Sequence, residues 1–161
     1  MGLSTLPPVK DVRDLLESLL GRDVDVKDGP VWIPPAGEKI LVAEFVDDDG
    51  ALATLGIVDS AAGAYIGAAM GLLPPGGAQD MAKDGDLSPV VRENLYETMN
   101  IACSLFNLPG QPHVKIAALY DVGTALPPTV DAAVKRPTGR MDLAIKVSGY
   151  GEGRFSLVVA N

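Results

Sequence analysis

The stretch VRENLYETMNIACSLFN, residues 91–107, spaces its apolar residues as a helix does. At about 100° per residue, Val91, Leu95, Met99, Ala102 and Phe106 share one side, while Glu93, Glu97, Asn100 and Ser104 fall within about 60° on the other. A solvated helix face usually mixes basic residues among its acids, because i, i+4 pairs of opposite charge support it. Here only Arg92 is near, and it points to one side. Two carboxylates, an amide and a hydroxyl in single file therefore read as a surface with a use. Ser88 marks the helix start as N-cap and Pro89 takes the first helical position.

Working outward, the preceding stretch LATLGIVDSAAGAYIGAAMGLL is long enough to imitate a membrane span. Its pattern changes at Asp59 from strand-like to helix-like, so it reads as a strand followed by a helix that Asp59 caps and that ends near Met70. Gly63, Gly67 and Gly71, beside Ala64 and Ala68, leave that helix thin enough for another backbone to approach closely. Prolines and glycines in GLLPPGGAQ then end it, and AKDGDLSPVV leads into the long helix.

Nearer the N-terminus, Val9 to Leu20 has helical i, i+3, i+4 spacing ended by Gly21, and DVDVK alternates as a short strand. The runs KILVAEFV and ALATLGIV read as strands joined by a DDDG turn in which Gly50 takes positive φ. After the long helix come a strand in HVKIAALYDV, a proline-containing crossover from Ala125 to Gly139, and the runs RMDLAIKVS and RFSLVVAN joined by GYGEG. This order predicts an α+β sandwich of antiparallel sheet with helices mainly on one face, in a single domain over residues 1–161.

The composition, 47% hydrophobic and 21% charged, is that of a folding globular chain. A net charge of −8 opposes phosphate-backbone attraction, so no nucleic-acid partner is expected. Cys103 is the single cysteine, which excludes an intramolecular disulfide and suits a reducing, cytoplasmic setting. No export signal or membrane association is expected, and MGLST matches a myristoylation pattern imperfectly because Thr5 is off the preferred position.

Familiar reactive signatures are missing. SGYGEG places its glycines between strands rather than before a helix, which is wrong for a phosphate cradle. A lone His113 makes neither a metal site nor a serine-hydrolase base for Ser60, Ser88 or Ser104. DDDG lacks the later glutamate of a calcium loop and reads as a turn. Cys103 reads as a partly buried core residue.

With these residues in place, the chain resembles the CheC, CheX and FliY family of response-regulator aspartyl-phosphate phosphatases, CheX most closely in length and order. Such proteins carry a helix with an acid or serine, a glutamate four residues on and an asparagine three residues after that. Glu93, Glu97 and Asn100 fill those places in ENLYETMNIACS. Glu93 replaces the more usual Asp or Ser, Ser104 stands where glycine is frequent, and Pro127 and Pro128 fall later than the family's proline.

The resemblance implies a CheC/CheX-like sandwich whose long helix docks on a phosphorylated, CheY-like receiver domain. Asn100 would orient the attacking water, Glu97 would pair with the receiver's phosphate-holding lysine, and Glu93 and Ser104 would extend the partner contact. It implies no cofactor of the chain's own, with Mg2+ supplied by the receiver. The alternatives are a noncatalytic adaptor of the same fold and a solvated or self-associating helix face. CheX-like members pair through sheet edges, and the terminal strands here are expected to offer such edges for a homodimer.

Overall fold

The computed structural model describes residues 5–160, and residues 1–4, which carry most of the myristoylation-like start, lie outside the described residues. Helix α1 (Val9–Leu20) is followed by strands β1 (Val24–Asp28), β2 (Ile40–Val46) and β3 (Leu52–Asp59). Helices α2 (Ser60–Met70), α3 (Pro75–Asp84) and α4 (Pro89–Ala102) come next, then β4 (Lys115–Tyr120), α5 (Pro128–Val134), β5 (Arg140–Val147) and β6 (Gly151–Val159). The fold is α+β, with six strands in one antiparallel sheet ordered β1-β5-β6-β3-β2-β4.

One face of the sheet carries the larger core. Leu41, Ala43 and Phe45 of β2 and Phe155 and Leu157 of β6 meet Val12 and Leu16 of α1, Ile66 of α2, and Val91, Leu95 and Met99 of α4. The opposite face is covered by α5 and the segment around Trp32, where Val130, Ala133 and Val134 pack with Val42, Leu55, Ile57 and Val158. Burial on both sides explains why β3 is buried from Ala53 through Val58 rather than alternating.

The caps read from the sequence are present. Asp59 accepts the Ala62 N–H at 2.8 Å, and Ser88 accepts the Val91 N–H at 3.4 Å. Gly21 at φ 65° ends α1, and Gly50 at φ 80° closes the β2–β3 turn. In that turn Asp47 accepts the N–H groups of Asp49 and Ala51, each at 2.9 Å, as an Asx turn does.

Four expectations are corrected. Two helices escaped the sequence reading. α3 forms in PGGAQDMAKD despite its glycines, because Ala78 is fully buried and Pro75 starts the helix without spending an N–H. α5 interrupts the supposed crossover, with Pro128 at its first position and Val130, Ala133 and Val134 buried at i, i+3, i+4.

The long helix is α-helical only to Ala102 and tightens into a 3₁₀ turn over Cys103–Leu105. Asn107 then clamps the chain toward β4, accepting the Val114 N–H at 2.7 Å and donating to its carbonyl at 2.9 Å. Lastly, of the terminal strands only β1 is an edge: β5 and β6 at the C-terminal end are internal to the sheet, and the other edge is β4. β6 is buried from Phe155 to Val159, flanked by β5 and β3 and covered on both faces.

Candidate functional site

α4 is held rigidly by what lies beneath it. Val91, Leu95 and Met99 are fully buried and Ala102 and Phe106 nearly so, which for Val91, Leu95, Met99 and Phe106 contributes about 1.5–3 kcal/mol each. Met99 lies over Gly56 of β3, where an added Cβ would stand 3.3 Å from its sulfur. Phe106 meets Phe45 with ring centroids 6.2 Å apart.

α2 supplies the side wall. A Cβ on Gly67 would stand 2.3 Å from the Val91 carbonyl oxygen, and one on Gly71 would stand 2.6 Å from Asn94 Nδ2. Asn94 uses that space to donate to the Gly67 carbonyl at 3.0 Å. Thr98 Oγ1 bonds the Asn94 carbonyl at 3.0 Å and lies 3.3 Å from Met70 Sδ. The small-residue stripe of α2 is thus a helix-packing device, as its sequence implied.

On the outer side, Glu93, Glu97, Asn100 and Ser104 are all exposed. Among the described residues none of the four side chains has an intramolecular hydrogen bond, and neither glutamate has an ion pair. Glu93 and Asn100 lie about 10 Å apart along the axis, at about 1.5 Å rise per residue. Glu97 and Asn100, at i and i+3, are surface neighbours. Ser104 is carried by the 3₁₀ turn rather than by the α-helix proper.

The basic residue next to this file in sequence is engaged elsewhere. Arg92 pairs with Asp121 at 2.8 Å and donates to the Leu119 carbonyl at 3.0 Å, anchoring α4 to the end of β4. The two acids therefore present uncompensated negative charge beside an amide that is neutral at every working pH. Such a surface suits a cationic group, with Asn100 able both to donate to and to accept from a water held there.

Other candidates sit elsewhere. His113 is exposed ahead of β4, with Nδ1 2.9 Å from Asp48. Cys103 is buried, and burial pushes its thiol pKa up, opposite to what a nucleophile needs. A cavity of about 440 Å³ opens between Lys39–Ile40 and the 121–126 loop, on the far face of the sheet from α4. Among the described residues no three His, Cys, Asp or Glu side chains gather as a metal cluster.

Three functional details were not read from the sequence. Asn94, which packs against Gly71 and bonds the Gly67 carbonyl, joins two helices, and no spacing within α4 marks it. Asp121, the residue that occupies Arg92, lies 29 positions away, beyond any helical spacing. Leu72 takes φ 55° and is 77% exposed, in the turn that ends α2.

No protein-family model matches the chain, and a search of curated proteins finds no match. Solved structures do match. Thermotoga maritima FliY superposes with a TM-score of 0.56 at 15% identity, covering 92% of this chain and 82% of that one. The chain has the CheC/CheX/FliY fold. FliM in a FliM–SpeE complex from H. pylori gives a TM-score of 0.62 at 6% identity, over 94% of this chain and 80% of that one. A chain of the CheX–CheY–BeF3–Mg2+ complex from Borrelia burgdorferi gives 0.42 at 6% identity, over 91% and 90%. In this CheC/CheX/FliY-like chain, the sheet and α2 hold α4 so that the Glu93-to-Ser104 file faces outward.

Proposed function

We propose that this protein removes the phosphoryl group from the aspartyl phosphate of a response-regulator receiver domain, using α4 as the inserted element. The observation that carries the reading is the exposed, unpaired file of Glu93, Glu97, Asn100 and Ser104 on a helix otherwise fixed by buried contacts. Its supports are the CheC/CheX/FliY-like fold and the match of Glu93, Glu97 and Asn100 to that family's motif.

Glu97 accepts from the receiver lysine that otherwise holds the phosphate, and Glu93 continues the contact. Asn100 accepts from and donates to one water, holding it in line with the phosphorus, so that its oxygen attacks as the bond to the aspartyl oxygen breaks. The receiver supplies Mg2+ and the electrophile, which accounts for an α4 face with positioning groups alone. Ser104 contacts the partner at the far end of the file.

A second reading has its own support. FliM, whose fold this chain shares, is solved as a FliM–SpeE complex, so the fold also serves protein association. In that version α4 binds a partner without hydrolysis. The test is the phosphate lifetime of receiver domains from the same genome, charged with acetyl phosphate, with wild type, Asn100→Ala and Glu97→Ala. Shortening by wild type, lost by at least about a hundredfold in Asn100→Ala, is expected on the general scale of positioned-water catalysis. Unchanged lifetimes throughout would overturn hydrolysis, and receivers still retained on the protein would identify the adaptor.

A further inference from the structure

The turn after α2 places a leucine where the backbone asks for glycine. Leu72 N–H bonds the Ala69 carbonyl at 3.1 Å and Leu73 N–H bonds the Ala68 carbonyl at 2.9 Å, the pair of bonds that defines a Schellman helix end. In that motif the residue with positive φ is usually glycine, because a Cβ is strained there. Leu72 holds φ 55° and is the one non-glycine with positive φ among the described residues.

Gly71, one position earlier, has φ −93° and is needed for a different reason, its contact with Asn94 Nδ2. The strained leucine is also the most exposed large apolar side chain among the described residues, at 77%. It neither fills the core nor relieves the backbone.

Its position supplies a use. Gly71 abuts Asn94, and Asn94 is one turn from Glu97 on α4, so the turn bearing Leu72 runs along the flank of the acidic file. Val90, half exposed, stands one turn before Asn94 on that same flank. Tyr150 Oη donates to the Leu73 carbonyl at 2.6 Å, and Gln79 Nε2 donates to the Tyr150 carbonyl at 3.2 Å, so the turn is braced from behind. An exposed aliphatic on a braced turn, flanking two unpaired carboxylates, matches a protein surface that presents a basic side chain next to an apolar patch.

We infer that Leu72 is a specificity-determining anchor that seats the receiver against α4, with Val90 completing the apolar flank beside Glu97. This rests on the reading of α4 as the receiver-facing helix. Leu72 is a positioning residue: it sets how often the partner is correctly seated and leaves the chemistry to Asn100.

The test measures affinity for the receiver panel charged with acetyl phosphate, together with melting temperature, for wild type, Leu72→Gly, Leu72→Met and Glu97→Ala. Leu72→Gly is expected to melt above wild type and to bind about tenfold more weakly, with an unchanged phosphate lifetime at saturating protein. Leu72→Met should bind within about twofold of wild type, since a long apolar side chain remains. If Leu72→Gly binds as wild type does while Glu97→Ala is weakened, the anchor is overturned and the docking helix stands. If Leu72→Gly melts below wild type, the leucine serves the fold and the anchor is again overturned. If no receiver binds wild type, the docking helix and the anchor fall together.

Discussion

Arg140 lies inside the protein with every guanidinium nitrogen engaged. Nε bonds both carboxylate oxygens of Asp142 at 3.1 Å, Nη1 bonds the Val134 and Arg136 carbonyls, and Nη2 bonds the Trp32 carbonyl at 2.7 Å. Ser156 donates to Asp142 at 2.7 Å, and the two charged side chains are 2% and 6% exposed. The network joins the end of α5 and the Trp32 segment to the sheet. Asp142→Ala strands a buried cation and is expected to cost about 3–5 kcal/mol in urea unfolding, whereas breaking the solvent-screened surface pair Lys10–Asp14 should leave stability nearly unchanged.

Tyr120 offers a pH handle at the same scale. Its hydroxyl donates to Glu44 at 2.5 Å, and that carboxylate beside it pushes the phenol pKa up to about 12. The folded state thus holds its proton where the unfolded chain, titrating near pH 10, does not. The contribution is complete below about pH 10 and is lost as pH rises toward 12. In Glu44→Gln the phenol is expected to titrate closer to 10, read by ultraviolet absorbance with Tyr120→Phe subtracted.

At the scale of elements, the α2–α4 contact sets the angle of α4. Gly67→Ala would drive a methyl group into the Val91 carbonyl, a backbone atom that cannot swing aside, so a loss of about 1–3 kcal/mol or more is expected. Gly76→Ala in α3 is the control: a Cβ there meets nothing within 4 Å, and a gain of about 0.4–1 kcal/mol is expected. Thermal unfolding of the two variants should move in opposite directions.

Elements with a strong local signal were legible in the sequence. α1, α2 and the start of α4 each carry periodic apolar residues and a recognisable cap, and β2, β3, β5 and β6 carry apolar runs between turn residues. α3 and α5 carry glycines or prolines that argue locally against helix, and each forms because a few small apolar residues are buried by neighbours distant in sequence. The polar file was legible because it lies on one helix with one period. The parts that pose it, Asn94 on Gly67 and Arg92 on Asp121, join separate elements and leave no periodic trace.

Across the whole molecule, the two faces of the sheet divide the work. The helix-covered face fixes α4, while the α5 face and the Arg140 network close the other side. No helix among the described residues is long and apolar enough to cross a membrane. A net charge of −8 gives the molecule a field that draws a basic partner surface toward the acidic file. The association rate with a receiver is therefore expected to fall as salt rises, while dissociation changes less, which stopped-flow binding at several ionic strengths would check.

The most direct test of the central claim takes the receiver that binds most tightly and measures binding and phosphate lifetime together for wild type and Asn100→Ala. The Asn100 side chain is exposed and makes no hydrogen bond among the described residues, so its truncation should leave folding and docking nearly intact. The expected result is that Asn100→Ala still binds the charged receiver and no longer shortens its phosphate lifetime. An Asn100→Ala protein that shortens the lifetime as wild type does would contradict the assignment of the attacking water to this helix.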